Sequence, residues 1–245
     1  MIKKNFNYSP NFDLQKRHNH QIKFLIFHYT GMRSESEAIN RLTNTQSRVS
    51  SHYLIKRNGE IIVLVPDLYV AWHAGKSYWK RFKFLNKSSI GIEISNPGHS
   101  FNYKKFSSKQ IRSIVKLSKY LIKKYKIKKS NILGHSDIAY ERKKDPGEKF
   151  PWSNLASKNI GIWKKISKEQ SKKLRKQKIT KKESIKYFKY LKKIGYFVKI
   201  IKKQNSSKLV KSFQRRFRQD LIDGIIDKEC LNISINLVKN LNNFS

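Results

Sequence analysis

A chain of 245 residues with 38% hydrophobic and 12% aromatic content can bury a real core, in one large domain or a medium one beside a small one, and is not a disordered basic protein. Its 55 lysines and arginines against 16 acidic residues give a formal charge of +39, spread over the whole chain as a compositional bias, so no specific nucleic-acid partner is expected. The one cysteine, Cys230, excludes an internal disulfide and a cysteine-rich metal site, and its apolar helical setting makes it a small core residue.

The N-terminal segment, Met1 to Pro10, has two lysines without an apolar stretch behind them, and no run in the chain is long enough to span a membrane. The compartment expected from this is the cytoplasm, with the cell envelope as the alternative. Ile22 to Phe27 is a short apolar run of β-prone residues and reads as a buried strand that delivers His28 at its end. Ser36 to Thr43 reads as a short helix. Val49 to Ile55 reads as a strand, Asn58-Gly59 as hairpin-turn chemistry, and Glu60 to Val65 as the returning partner. Ala71-Trp72-His73-Ala74-Gly75 is too rich in rings and small residues for an ordinary loop; Trp72 either plugs the core or walls a groove.

Ser89 to Ser95 is the next strand, in which Glu93 interrupts an apolar sequence. A carboxylate there is either exposed or functional, and desolvation in a cleft would raise its pKa towards the range of a general base. Ser107-Ser108-Lys109-Gln110 resembles a capping box opening a helix with apolar Ile111, Ile114, Val115, Leu121, Ile122 and Tyr125 on one side and lysines on the other. Asn131 to Leu133 is a brief strand. Strands mixed with helices in this order predict an α/β domain around a mixed central sheet flanked by helices, over residues 1–163.

Residues 164–182, rich in lysine, serine and glutamine, read as a partly helical connector. A second unit spans 183–245. The capping-box pattern Thr180 to Glu183 precedes a stripe of Ile185, Phe188, Leu191 and Ile194 closed by Gly195. Leu209, Val210, Phe213 and Phe217 make a second helix, Asp223-Gly224 a turn, and Leu231, Ile235, Val238 and Leu241 a third. None of the three has catalytic spacing.

The densest chemistry lies in Gly134-His135-Ser136-Asp137-Ile138-Ala139, continuing through Lys143-Lys144-Asp145-Pro146-Gly147 to Trp152. Catalytic zinc takes three protein ligands and keeps one position for water or substrate. Spacing makes His135 and Asp145 a plausible local pair, but does not choose the third ligand among the seven histidines.

The segments Phe27-His28-Tyr29-Thr30, Val49-Ser50-Ser51-His52-Tyr53, Ala71 to Gly75, Ser89 to Glu93, Gly134 to Ala139 and Lys143 to Gly147 occur in the order found in type 2 N-acetylmuramoyl-L-alanine amidases, which the region Ile22 to Trp152 resembles. The resemblance implies zinc held by His28, His135 and Asp145, with Glu93 activating the water and Lys143 stabilising the tetrahedral intermediate. It also implies a substrate of peptidoglycan or (anhydro)muropeptide fragments, cut between N-acetylmuramic acid and L-alanine. Trp72 and Arg142 are expected contacts to glycan and peptide, His52 and His73 either orient the fold or touch glycan and peptide, and Asp137 is a hydrogen-bond acceptor that fixes the loop. Three departures stand out: Ser51 takes the place where some relatives have a catalytic tyrosine, Asp145 replaces the cysteine of other branches, and Ala139-Tyr140 replaces Ala-Pro. Val210 to Phe217 with Asp223-Gly224 resembles the Phe-Gln-x-x-Phe helix and Asp-Gly turn of a small three-helix peptidoglycan-binding domain. Two other readings remain: a non-catalytic recognition protein on the same fold, and a basic nucleic-acid-binding protein. Oligomeric state is not legible.

Overall fold

Residues 4–199 and 203–241 are described by the computed structural model; Met1 to Lys3, the start of the segment read for an export signal, lie outside them. Among the described residues a mixed sheet is built from β1 (Asn5–Phe6), β2 (Phe24–Tyr29), β3 (Tyr53–Ile55), β4 (Ile61–Val63), β5 (Ser89–Ile94) and β6 (Ile132–Gly134). Their order across the sheet is β1-β4-β3-β5-β2-β6. The apolar runs around Leu25 and Ile92 take two neighbouring inner places, paired in parallel. β6 lies parallel to β2, and the Asn58-Gly59 turn folds β3 and β4 into an antiparallel hairpin. Of the strand expected from Val49 to Ile55, only Tyr53–Ile55 joins the ladder. Ser50 is drawn off to Trp72 and Asn11 instead, its amide donating to the Trp72 carbonyl at 3.1 Å and its hydroxyl to the Asn11 carbonyl.

The helices are α1 (Glu35–Thr43), α2 (Ser108–Tyr125), α3 (His135–Ile138), α4 (Trp152–Ser157), α5 (Lys168–Arg175), α6 (Lys181–Ile194), α7 (Lys203–Phe217) and α8 (Lys228–Lys239). Caps set their starts: Ser107 and Gln110 form the predicted box on α2, and Thr180 and Glu183 the one on α6. No described helix is long and apolar enough to cross a membrane.

Strand alternation divides the core. Leu25 and Phe27 turn to one face with Ile90, Ile92 and Ile132, covered by Ile114, Leu117 and Leu121 of α2. Phe24, Ile26 and Leu133 turn to the other, covered by Tyr187 and Leu191 of α6, Phe213 of α7 and Ile233 of α8. The C-terminal helices thus share the core of the sheet.

The stripe of α7, Leu209, Val210, Phe213 and Phe217, is buried as expected, but those of α6 and α8 differ. On α6 Ile185 is exposed and Tyr187 takes the core place, because the face that meets the sheet runs through Tyr187, Leu191 and Ile194. On α8 Cys230, Ile233 and Leu237 go inside, and Ile235 and Val238 only flank them. The lysine-rich stretch carries α5, which is tied to α8 by Arg175 Nε on the buried Glu229 carboxylate at 2.6 Å.

Candidate metal centre and cleft

The carboxyl ends of β2, β5 and β6 lie side by side, the place where open α/β sheets present their chemistry. His28 continues the alternation Phe24, Ile26, His28 on β2, and strand register sets it beside Glu93 of β5. His135 opens α3 straight after β6. The loop that returns with Asp145 packs against that junction so closely that a Cβ on Gly134 would sit 2.7 Å from Pro146 Cδ. The peptide between Asp145 and Pro146 is cis. Ser136 N donates to the Asp145 carbonyl at 2.8 Å, closing the loop.

His28 Nδ1, His135 Nδ1 and Asp145 Oδ2 form a triangle with 3.0 Å sides, and all three residues are buried. The surrounding hydrogen bonds assign the protons. Ser89 Oγ donates to the Leu85 carbonyl at 2.6 Å and therefore accepts from His73 Nε2 at 3.1 Å. Burial, and next the charge of His28, hold His73 well below the ordinary histidine pKa, so its Nδ1 is bare and accepts from His28 Nε2 at 3.0 Å. Burial and then the neighbouring His135 push His28 down to about 4, leaving its Nδ1 bare as well. His135 Nε2 donates to the Ala74 carbonyl at 3.2 Å, and in that tautomer Nδ1 turns a lone pair inward. Two lone pairs and a carboxylate oxygen thus converge with no donor among them. That donor set fits a divalent cation with nitrogen and oxygen preferences.

The triangle opens on a cleft of about 430 Å³ walled by Arg41, Trp72, Glu93, His99, Arg142 and Lys143 among others. Glu93 Oε2 is buried without a hydrogen-bond partner. Desolvation, and then the charge of Asp145, raise the Glu93 pKa to about 8, with Lys143 acting the other way.

The four expected substrate contacts part company. Trp72, His73 and Arg142 line the cleft, Trp72 with its Nε1 donating to Asp13 at 2.7 Å. Arg142 donates to the carbonyls of Ala74 and Lys76, so it also ties one wall to the other. His73 is 8% exposed; its ring lies over Gly91, where a Cβ would come 2.4 Å from its Cγ, and its polar atoms serve His28 and Ser89. His52 is fully buried, accepts from the Gly91 amide at 3.0 Å and is absent from the cleft wall, so it holds β3 to β5 instead of reaching a ligand. Sequence reasoning missed Tyr29 and His99, bonded at 2.9 Å on the cleft rim, with His99 Nε2 on Glu148 at 3.0 Å. Tyr29 adjoins His28, but only the fold brings His99 beside it.

A buried His-His-Asp set facing an unpaired carboxylate and an ammonium is the layout of a hydrolase. The family model described as N-acetylmuramoyl-L-alanine amidase matches residues 18–148. The amidase AmiD of Escherichia coli is 35% identical over 222 residues, covering 85% of this chain and 79% of AmiD. The 1,6-anhydro-N-acetylmuramyl-L-alanine amidase AmpD of Haemophilus influenzae is 35% identical over 168 residues, 61% of this chain and 88% of AmpD. The solved complex of E. coli AmiD with anhydro-N-acetylmuramic acid-L-Ala-D-gamma-Glu-L-Lys superposes with a TM-score of 0.80 at 33% identity, covering 90% of each chain. AmpDH3 of Pseudomonas aeruginosa gives a TM-score of 0.80 at 28% identity, covering 99% of this chain and 100% of its own. The chain belongs to the N-acetylmuramoyl-L-alanine amidase family.

Proposed function

We propose that this amidase releases stem peptides from muropeptides carrying a 1,6-anhydro end, using zinc held by His28, His135 and Asp145. The observation that carries the metal reading is the convergence of three acceptor atoms with their protons turned outward. The substrate reading is supported by the anhydromuropeptides bound in the AmiD and AmpDH3 structures, and the cleft volume lies within the usual range for small ligands.

Zinc supplies Lewis acidity for the scissile carbonyl and lowers the pKa of water. Glu93, as the carboxylate, takes the proton of the attacking water and returns it to the departing L-alanine amine. The Lys143 ammonium neutralises negative charge developing on the carbonyl oxygen. Trp72 and Arg142 bind and orient substrate along the walls. The relay Ser89–His73–His28 fixes the imidazole that faces the metal.

The test is parallel digestion of soluble anhydromuropeptides and whole sacculi, with products identified by mass spectrometry. Stem peptides beginning with L-alanine should appear, faster from the soluble substrate. Treatment with a chelator should stop release and added zinc restore it. An unchanged rate in protein shown to be metal-free would sink the zinc reading; faster release from sacculi would sink the substrate preference.

A further inference from the structure

The loop between β6 and α4 carries two proposed ligands and Lys143, yet α3 contributes only four helical residues to it. Much of what fixes this loop comes from the C-terminal helices. Ser212 Oγ donates to the Ser136 carbonyl at 2.7 Å. The Asp137 carboxylate accepts from Gly134 N at 2.8 Å, from Tyr196 Oη at 2.7 Å and from the Arg216 guanidinium. A second nitrogen of Arg216 donates to the Ile132 carbonyl at 2.8 Å, and the guanidinium lies 4.4 Å from the Trp152 ring centre. Farther along, Lys208 Nζ reaches the Glu141 carbonyl at 3.3 Å and Gln219 Nε2 donates to the Phe150 carbonyl at 2.7 Å. The loop is gripped at its start, middle and end.

Apolar contact alone would attach these helices to the sheet, and a buried ion pair adds little net stability over a hydrophobic pair of the same size. What it adds is orientation. Asp137, Tyr196, Ser212 and Arg216 are each no more than 2% exposed, and Asp137 stands two residues from His135. Because Ser136 N is bonded to the Asp145 carbonyl, fixing this segment fixes the spacing of both ligands. The Phe-Gln-x-x-Phe motif is likewise turned inward: Phe213 and Phe217 are buried, and Gln214 donates to Asp223 and to the Ile225 carbonyl.

Resting on the zinc reading, we infer that Tyr196, Ser212 and Arg216 are positioning residues of the metal centre, and that α7 braces the ligand loop of the amidase. The test uses full-length protein with Ser212→Ala and Arg216→Lys. Ser234→Ala is the control; its buried hydroxyl bonds to the Leu231 carbonyl within α8. Circular dichroism reports the fold, chelator competition the zinc affinity, the visible spectrum of the cobalt-substituted protein the ligand geometry, and soluble anhydromuropeptide turnover kcat and KM.

The two test variants should keep the fold, bind zinc about 10-fold more weakly or worse, shift the cobalt spectrum and lose kcat at unchanged KM. The control should change none of these. If Arg216→Lys does not fold, Ser212→Ala decides. Folded variants with wild-type zinc affinity and cobalt spectrum overturn the inference, as does loss of sacculus binding alone. A wild type that takes up no zinc sinks the metal reading and this inference together.

Discussion

Glu93 is an ordinary residue type in an expensive place. Its carboxyl is pushed from the usual 4.5 to about 8 by burial and then by Asp145, so the fold favours the protonated form. The stability associated with that form is fully present below pH 4.5 and is lost as pH rises through about 8. Metal-free Glu93→Gln should therefore unfold at a higher temperature than metal-free wild type above pH 8, with the gap closing below pH 4.5. Thermal melts at the two extremes check this, each kcal/mol appearing as about 2–4 °C in a chain of this size. With zinc restored, the same variant should bind the ion normally and lose about 10²–10⁴ in kcat, the usual contribution of a general base. A separate expectation concerns His73. His73→Ala removes the acceptor for His28 Nε2 and should weaken zinc binding by about 10–100-fold, measured by chelator competition. Glu93 and His28 could be named from their motifs, whereas the proton chain through His73 and Ser89 depends on the fold bringing them behind His28.

At the level of elements, the segments most legible in the sequence were those with local chemistry of their own. The capping boxes of α2 and α6, the Asn58-Gly59 turn and the apolar runs of β2 and β5 each carry their cause within a few residues. The helix stripes were less legible, because α6 and α8 have apolar residues on more than one side and only docking decides which go inside. Tyr187 displaced Ile185 for that reason. Gly91 shows how an element's sequence can be dictated from outside it. It is the place on β5 where the His73 ring lies, and a methyl group there would collide with that ring. Gly91→Ala should keep the secondary structure, displace His73 and lower both zinc affinity and activity. Wild-type zinc titration in that variant would remove His73 from the account of the site.

Considered whole, the molecule packs its two large core clusters against the six-stranded sheet, and the second of them is shared with the C-terminal helices. The sequence suggested a boundary near Trp163, since an apolar helix face shows that something covers it and not what does. Phe24, Ile26 and Leu133 on the sheet side and Phe213 and Leu191 on the helix side answer that. Calorimetry should accordingly show one cooperative transition; two separable ones would contradict the shared core. The charge of +39 acts on the same scale, because like charges over the whole surface repel one another in the folded state. Raising sodium chloride from low to physiological concentration should increase the melting temperature by screening. A flat or falling curve would mean that repulsion among the lysines does not limit stability.

The grip of Ser212, Arg216 and Gln219 on the 134–150 loop also orders events in time. A ribosome releases His28, Glu93, His135, Lys143 and Asp145 well before it has made α7. A nascent chain halted near residue 190 therefore owns every group proposed to react and lacks the clasp proposed to set two of them. Competence therefore waits on residues 212–219, which are made after the last of those groups, Asp145.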